Sequence, residues 1–137
     1  MNTKMLMLVP MLGLVGLLSA CAGPMPQANP NDAWVGLKGD TQSSMLAERL
    51  DGKNLKDGRY FQVSPGAHHL DVMVYEESTP QKDDQTCRAS IDYQSFKQGD
   101  HYALVQSSLG DANLRADLKN EQGKTVASTG NFDCMSG

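Results

Sequence analysis

The chain past residue 32 alternates apolar and polar residues in short runs separated by turn residues, the signature of half-buried strands. In residues 69–75, Leu70, Val72 and Val74 share one face, while His69, Asp71 and Met73 take the other. Pro65-Gly66 ahead of this run predicts a turn, because proline presets φ and glycine tolerates positive φ. Before it, Arg59-Tyr60-Phe61-Gln62-Val63 is rich in aromatic and β-branched side chains and is opened by Asp57-Gly58. A hairpin over residues 59–76 is therefore expected. Further on, Cys87, Ala89, Ile91 and Tyr93 share a face, with Arg88, Ser90, Asp92 and Gln94 opposite. Turn signals at Gln98-Gly99-Asp100, Gly110-Asp111 and Glu121-Gln122-Gly123 introduce three more runs, at residues 101–105, 114–119 and 124–128. Residues 41–50 admit a helix capped by Ser43 or Ser44. A strand over 45–50 ending in an Asp51-Gly52-Lys53 hairpin turn fits better. Residues 77–85 carry Glu77, Pro80, Lys82, Asp83 and Asp84 and predict a polar loop. The expectation is an all-β chain of about seven strands, a single antiparallel β-sandwich.

The first 20 residues follow a different pattern. Lys4 and the amino terminus are positive, residues 5–18 carry no charge, and Ser19-Ala20 are small. The apolar run is shorter than the about 20 residues that span a bilayer, and Pro10, Gly13 and Gly16 interrupt it. A cleaved export signal is expected. Leu18-Ser19-Ala20-Cys21 resembles the lipobox of bacterial lipoproteins. That resemblance implies cleavage before Cys21, a diacylglycerol on its sulfur, and usually a third acyl chain on the new amino terminus. Each acyl methylene buried in lipid contributes about 0.8 kcal/mol, so two or three chains anchor effectively permanently. Ala22 stands where such lipoproteins carry an aspartate when retained in the inner membrane. The resemblance thus implies the outer membrane, with the domain facing the periplasm. Residues 21–32 hold Pro24, Pro26 and Pro30 among small and polar residues, a flexible linker that would reach on the order of 30 Å if free. The domain division expected is 1–20 signal peptide, 21–32 lipidated cysteine and linker, and 33–137 sandwich.

Charge and cysteines narrow the partners. The chain has 16 acidic against 12 Lys and Arg residues, a net −4, and losing Lys4 with the signal makes it one unit more negative. Such a balance argues against nucleic acid and against a polybasic membrane surface. With Cys21 assigned to lipid, Cys87 and Cys134 remain, and export places them where disulfides persist. A structural bridge from the last residues to a central strand is expected, with two free thiols as the other reading. The absence of a Cys-x-x-Cys spacing argues against a redox centre.

The order Asp51-Gly52-Lys53, Val63-Ser64-Pro65-Gly66-Ala67-His68 and then an alternating strand resembles PEGA-type repeats and related small lipoprotein sandwiches of unknown function. Over residues 45–105 it implies a sandwich and carries no catalytic residues; Gly66-Ala67 follow the proline directly, where the repeat has Glu-Gly-Ala. No Gly-x-Ser-x-Gly elbow, phosphate loop, His-Glu-x-x-His or dinucleotide fingerprint occurs, so neither an enzyme nor a cofactor is expected. His101 and Ser107-Ser108 fall in a strand pattern that already accounts for exposed polar residues. A soft-metal site is the sharper minority reading: His69, Asp71 and Met73 lie on one strand face, with His68 adjacent and His101 a further candidate if the fold brings it near. Against it, alternate residues on a strand stand about 7 Å apart, wide for two ligands of one ion. Trp34 and the tyrosines would form a partner-binding patch if exposed together. The function expected is a non-enzymatic, lipid-anchored envelope protein that binds or supports another envelope component. The alternative is a small-ligand or metal-binding lipoprotein. The expected partners are the membrane, through acyl chains on Cys21, and an envelope protein, with no nucleic acid.

Overall fold

The computed structural model describes residues 23–39, 43–78, 80, 83–108 and 114–136, and every regular element in them is a strand. Cys21 and the apolar run at residues 5–18 lie outside the described residues. Strands are numbered in chain order. β1 (Ala33–Lys38), β4 (Tyr60–Val63), β7 (His101–Ser108), β8 (Leu114–Lys119) and β9 (Thr125–Ser128) form a first five-stranded sheet, in the order β4-β1-β7-β8-β9. β2 (Ser43–Leu50), β3 (Lys53–Asn54), β5 (Gly66–Glu76), β6 (Gln85–Phe96) and β10 (Asp133–Ser136) form the second, in the order β10-β6-β5-β2-β3.

Both sheets press their inward residues into one core. Val35, Phe61, Leu104 and Leu118 come from the first, and Leu70, Val72, Val74 and Ile91 from the second, all buried. Burying each such side chain stabilises the fold by about 1.5–3 kcal/mol before entropy is counted. The β-sandwich predicted from alternation is what forms, and β2 and β4 to β9 fall on the seven predicted runs. The helix reading of residues 41–50 is overturned where the chain is described, because β2 pairs along β5.

Three strands were not predicted. β1 has the right alternation, with Ala33 and Val35 buried, but β-poor Gly36 interrupts it. It also forms the one parallel pair among the described strands, with β7, a pairing that no local turn announces. β3 and β10 are too short, two and four residues, to show a period.

The expected hairpin over residues 59–76 does not form. β4 pairs with β1, while β5 pairs with β2 and β6 in the other sheet. Ser64-Pro65 is a corner between sheets, and Gly66, at φ 113°, turns the chain into β5. Phe61 and Leu70 face each other's layer from opposite sides of the core, which one hairpin cannot arrange. By contrast, Asp51-Gly52 does close a hairpin between β2 and β3, with φ of 51° and 83°. Two successive positive φ values are the twisted two-residue turn that matches paired strands. The Asp51 carboxylate offsets its own backbone cost by accepting the His69 N–H at 2.8 Å.

Cys87 and Cys134 are bridged, directly opposite each other in the β6·β10 pair. The bridge holds a four-residue edge strand against the twelve-residue β6, as a structural staple should. At the end of the sandwich near the β6–β7 corner, Tyr93, Phe96 and Tyr102 meet edge to face. The Tyr102 hydroxyl accepts the Lys97 N–H at 3.1 Å.

Candidate binding groove on the second sheet

Alternation that buries Leu70, Val72 and Val74 must turn His69, Asp71 and Met73 outward, and on β6 it turns Arg88, Ser90 and Asp92 the same way. β2 would break the pattern at Arg49. A bulge between Ala47 and Arg49 inserts one residue, so Arg49 stays opposite Asp71 and Leu50 returns to the core side. β10 then brings Asp133 opposite Arg88. The result is an open groove of about 550 Å³ across four strands, bounded by Glu48, Asp71, Arg88, Ser90, Asp133 and Met135.

The groove is mixed in charge and internally bonded. Arg88 Nε donates to Glu48 Oε2 at 3.0 Å, and Ser90 Oγ donates to Asp71 Oδ1 at 2.5 Å. Arg49 Nε donates to Asn54 Oδ1 at 3.0 Å. With the Arg88 side chain about half exposed, its ion pair contributes at most about 1 kcal/mol. Met135 stands exposed at the β10 edge, as do Leu46 and Tyr75 on β2 and β5. Tyr75 and Ser78 N–H both bond Asp84, which lowers the Asp84 pKa, the Tyr75 hydroxyl first.

Beside the groove lies a histidine between two carboxylates. His69 Nδ1 stands 2.6 Å from Asp92 Oδ1, and Nε2 stands 3.1 Å from Asp71 Oδ1. Both ring nitrogens can donate at once only when the ring is protonated. The His69 pKa is raised accordingly, first by the Asp92 hydrogen bond, against partial desolvation, with further help from the charge of Asp71. One residue earlier, His68 Nδ1 meets Asp51 Oδ2 at 2.6 Å and Nε2 meets the Ser64 carbonyl at 2.7 Å. The Asp51 pKa is lowered, first by the His69 backbone N–H and then by the His68 ring.

Of the residues singled out for metal, His69 and Asp71 are brought together, but by bonding each other; Met73 is half-buried one step further along β5. Among the described residues, no group of three or more His, Cys, Asp or Glu is arranged to hold a metal. His101 lies on β7 in the other sheet, its backbone N–H donating to Glu121 Oε1. Among the aromatics, Trp34 and Tyr60 stack on the outer face of the first sheet, with centroids 4.3 Å apart and planes within 8°. Glu48, Arg49 and Asp133 were not foreseen as groove residues. The signals were a bulge and a four-residue strand, neither of which has a period to read.

No family model, curated protein or solved structure matches the chain. The likeness to PEGA-type repeats is therefore carried only by the turns and strands quoted for it.

Proposed function

We propose that this protein is a non-enzymatic envelope lipoprotein, anchored through acyl chains on Cys21, whose sandwich binds another envelope component at the groove of the second sheet. The observation that carries the binding reading is the groove itself: both charge signs, exposed Met135 and a floor of two paired strands. A rigid sheet that presents fixed charges selects a partner by electrostatic complementarity. The lipobox residues and the disulfide both suit an exported protein. The small-ligand reading draws on the same groove, whose volume falls within the about 300–1,000 Å³ of ligand pockets.

The test is a photo-reactive residue placed at Met135 in the full chain in living cells, with a control at exposed Gln122 in the β8–β9 turn. A single adduct from position 135 that Arg88→Ala abolishes is the expected result. Equal adducts from both positions, or none from 135, refute the groove as the contact. An adduct at position 135 that adds only the mass of a small solute, with binding of that solute to the purified protein, moves the reading to a small ligand.

A further inference from the structure

Residues 23–32 have no strand or helix, yet they are tied to β4 and the residues just before it at one end and to the β6–β7 turn at the other. Arg59 Nη1 donates to the Gly23 carbonyl at 3.0 Å and Nη2 reaches the Pro24 carbonyl at 3.5 Å. Asp57 holds that guanidinium in place, at 2.9 Å from Nε and 2.7 Å from Nη2. Asn29 N–H donates to Gln62 Oε1 at 3.2 Å, and Gly99 N–H donates to the Asp32 carbonyl at 2.9 Å. The segment that a free linker would let swing on the order of 30 Å is instead fastened at both ends.

Cys21 precedes Gly23 by two residues, which span at most about 7 Å. Arg59 adjoins Tyr60, and Tyr60 stacks on Trp34. We infer that the outer face of the first sheet, at the Trp34–Tyr60 stack, lies against the phospholipid bilayer. Amphipathic aromatic rings settle at the level of the headgroups, and the fastened segment between this sheet and the anchor carries the exposed apolar Met25. Alternation puts Lys38 on the same outer face, where it can meet lipid phosphate. The opposite face of the sandwich, with its groove, is then turned to the aqueous side. The inference rests on the lipid anchor at Cys21 proposed above.

Trp34 is the single tryptophan of the chain, so its emission reports this face alone. The experiment takes full-length protein matured in its bacterial host and reconstitutes it into phosphatidylcholine vesicles, with or without bromine near the ester end of the acyl chains. Flotation reports the anchor and quenching reports the face. Flotation with emission roughly two-fold lower over brominated lipid is expected, as for an interfacial tryptophan. Arg59→Ala, an exposed change that leaves the core intact, should float equally and lose roughly half of that quenching, because the linker carbonyls are released. Flotation with unquenched emission overturns the inference and spares the anchor. Emission that follows protein concentration instead of bromine assigns the face to a second copy and also overturns it. Protein that stays in the soluble fraction overturns the anchor and the inference together. Full quenching retained in Arg59→Ala overturns the fastening as its cause.

Discussion

The two sheets share one core and differ in what they show to solvent. The first carries Trp34 stacked on Tyr60, with Gly36 and Ala103 in register on the neighbouring strands. The second carries Glu48, Asp71, Arg88 and Asp92, nearly all bonded to one another or to a histidine. Inward residues on both are interchangeable aliphatics and aromatics, so burial decides the fold and leaves the outer positions free to differ. The difference lies only in alternate residues of the same strands.

That division predicts equal cores and unequal faces. Leu70→Ala in the second sheet and Leu118→Ala in the first should each cost about 2–5 kcal/mol, because each leaves a cavity in the shared core. Urea unfolding with two separate transitions would break the idea of one core. Cys134→Ser removes a bridge between residues 47 apart and should cost at most about 4 kcal/mol by loop entropy. It should free β10 and with it one wall of the groove, so hydrogen exchange at residues 133–136 should rise while β8 stays protected. Exchange rising equally in both sheets would contradict the local role of the staple.

Smaller effects belong to turns and faces. Gly52→Ala meets no atom within 4 Å, so its cost is the positive φ alone, about 1 kcal/mol in a melting experiment. Arg88→Ala should cost less than about 1 kcal/mol while abolishing the adduct from Met135, which separates recognition from stability. The last effect is in pH. Because the folded His69 pKa is raised, its contribution is complete below about pH 6.5 and fades as pH climbs through the folded value. Ring proton shifts should titrate above the usual histidine midpoint, and Asp92→Asn should bring the midpoint down. An unmoved midpoint would show that the Asp92 contact is not made in solution.

Legibility followed periodicity. β5 and β6, 11 and 12 residues long, announced their inward faces over residues 69–75 and 87–94, while their ends at Gly66 and Gln85 were read as a turn and a loop. The outward placement of His69, Asp71, Arg88 and Ser90 was equally readable, and they line or adjoin the groove. Glu48 and Arg49 were not, since a bulge shifts register without leaving a mark in composition. The 59–76 hairpin misled because Pro-Gly suits a hairpin turn and a corner between sheets alike.

By itself the sequence determined the strand class, the inward faces and the Asp51-Gly52 turn, because these depend on residues next to each other in the chain. Tertiary structure alone decided which sheet each strand joins, the parallel seating of β1 beside β7, the groove wall supplied by β10, and the fastening of residues 23–32 by Arg59. Those outcomes depend on contacts between residues far apart, whose energies exist only once the core has brought them together.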